Sequence, residues 1–247
     1  IHLLGLQEVD RLSKEIRNFT QNSRKNISNQ KNTKLIKKSS NQLIKVYQKQ
    51  QQKINETIIP KYFGSLRPSI DYQIKPVPKY LQDSANTAYY TEYDIDKKDG
   101  GTFFFNPRDS NSINYVQSLS LHEGNPGHHY QLTIANDLKI PKFRLFGPFN
   151  AFIEGWGLYS ESLGNYQNYQ EYLAKLDMEI HRSVRLIIDT GIHAYNWSYE
   201  KSYQYLQKNT NLPNSEIASE INRYIVWPGQ ALSYKMGQLT FIDLQKQ

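Results

Sequence analysis

The chain of 247 residues is 38% hydrophobic and carries 19 tyrosines but no cysteine. That is enough apolar material to bury a core, and it excludes disulfides and thiolate metal sites, leaving His, Asp and Glu as the strong ligands. The net charge of +7 sits at one end, because residues 1–60 hold 12 Lys/Arg against 4 Asp/Glu while residues 61–247 hold 18 against 19.

In chain order, residues 1–17 predict a short amphipathic helix, with Leu6, Val9, Leu12 and Ile16 at helical spacing. A polar, low-complexity stretch follows ("TQNSRKNISNQKNTK"), read as a loop or insert over about 20–38. A second helix is expected from Ser39 to Ile58, with Leu43, Tyr47, Ile54 and Ile58 as its apolar stripe and Pro60 as its stop. These elements make residues 1–60 a basic helical segment, whose charge fits a solvated helix face. An acidic or nucleic-acid partner is the other reading, but no nucleic-acid-binding motif accompanies it. Residues 61–107 read as extended, and "DKKDGGTFFFN" as a turn at Gly100-Gly101 feeding a strand over Thr102–Phe105. From Ser112 the pattern is helical, broken at the Pro-Gly and Gly-Pro pairs 126–127, 147–148 and 228–229. The expected architecture is a single, mostly α domain over 1–247 with a small β element and a helical metal-site region over 108–247. No apolar run nears the roughly 20 residues a membrane helix needs. The chain opens on Ile1 rather than methionine, as a fragment or processed chain does.

The stretch "LHEGNPGHHY" (121–130) holds three of the six histidines. In H-E-x-x-H two histidines four apart share a helix face and grip one ion, and the glutamate serves the metal-bound water. Here the fourth residue after His122 is Pro126. His128 falls about 120° off the face of His122 in a regular helix, and His129 returns to that face about 10 Å further along the axis. Pro126 and Gly127 predict a bulge between Glu123 and Gly127 that would bring His128 into the second ligand position. The other reading is a polar loop in which histidines happen to cluster.

Further blocks follow: "FIEGWGLYSESLG" (152–164), "RSVRLIIDTGIHAYNW" (182–197) and "EINRYIVWPGQALSYKMGQL" (220–239). With "HEGNPGHHYQ", "IHLLGLQEV", "YFGSLRP" and "GTFFFN", they resemble the bacterial domain-of-unknown-function 885 family, a group patterned like the gluzincin zinc peptidases. The resemblance implies a gluzincin-like zinc peptidase fold holding one Zn2+, with His122 and His128 as ligands and Glu123 as general base. It implies Glu154, 32 residues after His122, as third ligand; a helix N-terminal charge is the plainer reading. Glu161 shares a face with Glu154 and either orients a ligand histidine or is solvated. His129 is an accessory residue that replaces His128, bonds substrate or holds the bulge. A peptide is the substrate implied, and this chain would be the C-terminal half of a larger fold, a separate chain being one source of the missing half.

Arg185, Asp189 and His193 recur every four residues on an apolar helix, which predicts an Arg185–Asp189 ion pair. His193 is read as an oxyanion or substrate contact, or as a satisfied core histidine. Tyr234, with Arg223, is a candidate for the oxyanion because negative charge develops there in the transition state. Gly101, Thr102 and Phe103 are read as the edge strand that holds a peptide by main-chain hydrogen bonds, or as a core strand. The alternative for the whole chain is a non-catalytic family descendant serving as a structural subunit.

Overall fold

Apolar residues at three- and four-residue spacing make most of the chain helical. The computed structural model describes residues 1–27, 39–92, 100–108, 112–138, 140–145, 147 and 149–247. Helices α1 (His2–Ile27) and α2 (Ser40–Phe63) precede three short strands, β1 (Gln73–Pro76), β2 (Ala88–Thr91) and β3 (Thr102–Phe105). Then come α3 (Ser112–Glu123), α4 (His128–Asp137), the single-turn α5 (Lys142–Leu145), α6 (Asn150–Ser162), α7 (Tyr169–Tyr195), α8 (Tyr199–Asn209), α9 (Asn214–Val226) and α10 (Ser233–Gln245). The protein is mostly helical with one small three-stranded sheet. Among the described residues no helix is long and apolar enough to cross a membrane.

Two helices run past their expected ends. The first reaches Ile27 instead of stopping at 17, because extending an existing helix adds one hydrogen bond per residue and needs no apolar stripe. Of the expected insert, residues 28–38 lie outside the described residues. The second begins at a capping box in which Ser39 accepts from the Gln42 amide at 3.3 Å and the Gln42 side chain accepts from Ser39 N at 2.8 Å. It runs through Pro60 to Phe63 and stops at Gly64 with φ 59°. A proline in a helix interior costs about 3 kcal/mol or more. The turn beyond Pro60 is held by packing of Phe63, whose ring lies 4.9 Å from Tyr130 and 6.1 Å from Trp156 between centroids.

The chain folds as two compact units, Ile1–Lys31 with Asn150–Gly155 and Tyr172–Gln247, and Asn32–Phe149 with Trp156–Glu171. In the first, Leu12, Leu176, Val184, Ile187, Leu206 and Ile217 centre the core. Within it Lys235 is wholly buried, its Nζ 2.7 Å from Glu179, 2.9 Å from Glu8 and 2.8 Å from Gln238. Burial pushes Glu179 up, but Lys235 and then Lys175 outweigh it and hold the carboxyl at about 2. Gly155 of α6 and Gly237 of α10 meet backbone to backbone, and a side-chain carbon on either would overlap the other helix.

In the second unit the sheet order is β1-β3-β2, with β1 parallel and β2 antiparallel to β3. Phe103 and Phe105 are fully buried against Tyr47 of α2, with ring centroids at 5.1 and 4.9 Å. Gly101 has φ 72°, and a side chain there would run into the Tyr90 hydroxyl and the Thr91 carbonyl. The bend expected at Gly100-Gly101 is therefore real and specific to glycine. The edge-strand expectation for Gly101, Thr102 and Phe103 is corrected: β3 is the central strand, its hydrogen-bonding directions taken up by β1 on one side and β2 on the other. It has no edge to offer a peptide.

Candidate metal centre

The stretch around Pro126 does not bulge one helix; it separates two. The first ends at Glu123 and the second starts at His128. Pro126 has no amide hydrogen to continue the ladder, and the Asn125–Pro126 peptide is cis. Gly127 then folds back onto the carbonyls of Leu121 and His122 so closely that a side chain would overlap them. The connection is anchored on two sides. Asn125 Nδ2 donates to Asn55 Oδ1 at 2.8 Å, and the Trp156 indole N–H donates to the Pro126 carbonyl at 2.7 Å.

This fold-back sets the His122 and His128 rings edge to face, 4.8 Å apart and 89° between planes. His122 is buried, and its Nδ1 lies 2.7 Å from Glu161 Oε1. A carboxylate accepting from Nδ1 fixes the ring orientation and leaves Nε2 as the ligating nitrogen. Gly157 lies against that side of the ring: a Cβ there would stand 2.8 Å from Nε2 and 2.9 Å from Cε1. Glu154, Gly157 and Glu161 follow one face of α6 at offsets of three and seven. One nitrogen from each of His122 and His128 and one oxygen of Glu154 lie within 4.8 Å of one another. Two imidazoles and a carboxylate form a donor set suited to a divalent cation such as zinc. With the orienting carboxylate and the glycine clearance, these residues fit such an ion. Glu123 follows His122 directly, is buried, and has no hydrogen-bond or ion-pair partner for its carboxylate among the described residues.

His129 is placed elsewhere. Its ring is fully buried, with Nδ1 3.0 Å from the Tyr90 hydroxyl and Nε2 3.0 Å from the Ile70 carbonyl. Burial lowers its pKa to about 4, so it is a neutral brace with both nitrogens engaged.

His193, Tyr234 and Arg223 belong to the first unit. His193 Nε2 is 2.9 Å from the Tyr224 carbonyl. Tyr234 is buried under the Arg185 guanidinium, 4.8 Å from its ring centre, with its hydroxyl 3.4 Å from Gln230 Nε2. Arg223 donates to Gln230 Oε1 at 3.0 Å. The expected Arg185–Asp189 pair is not formed. Arg185 binds Glu220 at 2.8 Å, while Asp189 accepts from the Gly229 amide at 2.9 Å. Burial pushes the Glu220 carboxyl up, but Arg185 and His181 outweigh it and hold it far below the usual carboxylate range. The sequence reading missed Glu220, Trp156 and Gly157; the glycines flanking Trp156 in "IEGWG" were the visible signal of a close approach.

The family model described as "Bacterial protein of unknown function (DUF885)" matches residues 1–247. The chain belongs to the DUF885 family. Solved structures resemble it, among them two that are each of a "putative lipoprotein". One, from Colwellia psychrerythraea, superposes with a TM-score of 0.89 at 32% identity, over 99% of this chain and 45% of that one. The other, from Shewanella oneidensis, has a TM-score of 0.80 at 18% identity over 99% of this chain and 49% of that one, which shows a shared fold. The DUF885 chain thus spans just under half the length of these two proteins. Among curated proteins none matches it.

Proposed function

We propose that this DUF885 chain is a zinc-dependent peptidase domain of gluzincin-like build, acting on short peptides. The observation that carries the reading is the convergence of His122, His128 and Glu154 within 4.8 Å, next in sequence to the buried carboxylate of Glu123. The two histidines and Glu154 would hold the ion, with His122 kept in place by Glu161. When bound, zinc supplies a Lewis acid that polarises a water and the peptide carbonyl. Glu123 accepts the proton of the attacking water, holds it, and delivers it to the departing amine. His193 and Tyr234 are the residues proposed, from their place in the family's sequence blocks, to meet the charge that develops on the carbonyl oxygen.

Metal analysis of the purified chain and a panel of fluorogenic peptides, with and without chelator, test this reading. One zinc per chain and chelator-sensitive cleavage are expected. Glu123→Gln should abolish cleavage while zinc content stays that of the wild type; cleavage by E123Q overturns the assignment of the base. H193A and Y234F separate the oxyanion candidates. The true donor should lower kcat by about 10²–10³ with KM little changed, and the other should not. Zinc binding without cleavage of any peptide replaces the proposal with the alternative, a non-catalytic family descendant acting as a structural subunit.

A further inference from the structure

The two candidate histidine ligands do not share a helix, so nothing in helical geometry sets the distance between them. It is set by the backbone of residues 124–127, a connection that contains two glycines and a proline. Such a segment keeps one conformation only if something outside it holds it. Gly124 packs against the Tyr72 hydroxyl, and Asn125 is bonded to Asn55 of α2. The Pro126 carbonyl receives the indole N–H of Trp156 at 2.7 Å. Of these anchors only Trp156 stands on α6, between Glu154 and Glu161 and beside Gly157. Its ring is also packed, 6.1 Å from Phe63 and 5.5 Å from Tyr159 between centroids, so the direction of its N–H is set by neighbours rather than by chance.

We infer that Trp156 is a positioning residue for the metal centre. Its N–H clamps the Pro126 carbonyl, and through the Pro-Gly connection it places His128 in step with the carboxylates of its own helix. Trp156 binds neither metal nor substrate; it fixes the backbone from which His128 projects. Removing the donor leaves the carbonyl to water and lets residues 124–128 sample other conformations. His122 stays tethered by Glu161, so the loss falls on one ligand of the set. The inference rests on the proposed metal reading for its functional meaning, but its structural half stands without metal.

Trp156→Phe tests it, since an aromatic ring stays in place while the N–H is lost with the pyrrole half of the indole; 3-benzothienylalanine at 156, which keeps both rings and lacks the N–H, should behave the same way. Trp227→Phe, an exposed residue of the other unit, is the control. Two readouts are taken. Hydrogen–deuterium exchange of the metal-free chain should be several-fold faster across 124–131 in W156F, with α7 unchanged as the fold check. Titration with Co2+ should show the affinity of W156F reduced by about tenfold or more and its d–d absorption altered, while W227F matches the wild type in both readouts. Unchanged exchange across 124–131 overturns the inference, whatever the metal does. Faster exchange with wild-type Co2+ affinity and spectrum overturns the step from connection to His128. A wild-type chain that takes up no Co2+ or Zn2+ overturns the proposed function instead, and the exchange experiment then decides alone whether Trp156 holds the connection.

Discussion

At the scale of single residues, the candidate centre depends on how α6 treats one imidazole. Glu161 accepts from Nδ1 of His122, Gly157 clears the opposite side of the ring, and Glu154 stands one turn before that glycine. Because the ring is tethered, it can make room for a methyl group only by giving up that hydrogen bond or its ligating position. Gly157→Ala should therefore displace His122 and weaken zinc binding, and Glu161→Ala should weaken it by about 10–100-fold by releasing the ring. Competition with a chromophoric chelator measures both; wild-type affinity in E161A would show the Glu161 contact to be incidental. Glu161 was legible in the sequence, since a seven-residue interval returns to the same helix face. Gly157 was not, because its partner lies 35 residues upstream and only tertiary packing brings the two together.

Element by element, local pattern gave existence and type, whereas neighbours were hidden. Thr102–Phe105 is a strand and Gly101 its bend, as β-propensity and a paired glycine predict. Its central place in the sheet depends on which strands lie either side, and nothing in "GTFFFN" encodes that. Aromatic alternation was the better clue: Phe103 and Phe105 point to one face and are both fully buried, the mark of a core strand. Gly101→Ala forces a side chain into positive φ against Tyr90, so thermal unfolding of G101A should occur several degrees lower, from a cost of about 1–3 kcal/mol. A melting temperature equal to the wild type would mean that the bend relaxes freely. The missed pairings have the same origin. The partner chosen by Arg185 was Glu220, 35 residues on, and Asp189 turned to a backbone amide. An i,i+4 spacing permits a pair, but the buried guanidinium binds whichever carboxylate reaches it with the better geometry.

On the scale of the molecule, buried charge and buried histidine predict how the first unit responds to acid. His181 is held neutral, chiefly by burial, with a pKa lowered to about 4. The unfolded chain takes up that proton near 6.5 while the folded chain does not. The stability contributed is therefore complete above pH 6.5 and is lost as pH falls towards 4. Glu179, held at about 2 by Lys235 and Lys175 despite its burial, follows the same sign at lower pH: its contribution is present above the ordinary carboxylate range and is lost as pH falls towards 2. Urea midpoints measured from pH 7 to pH 4 should fall, and His181→Phe should flatten that slope; an equally steep slope in H181F would place the titration elsewhere. Lys235→Met leaves Glu179 without its buried partner and should cost about 3–5 kcal/mol in the same unfolding experiment.

The glycine contact between α6 and α10 carries a consequence for variation in this family. Where two helices touch through bare backbone, the gap works as a gauge with zero tolerance: any larger residue at 155 or 237 acts as a wedge under the turn that presents Glu154. A mutation eighty-three positions downstream of that carboxylate could thus detune it while leaving every candidate ligand in place. In a screen for lost metal uptake, Gly237 should score beside the histidines.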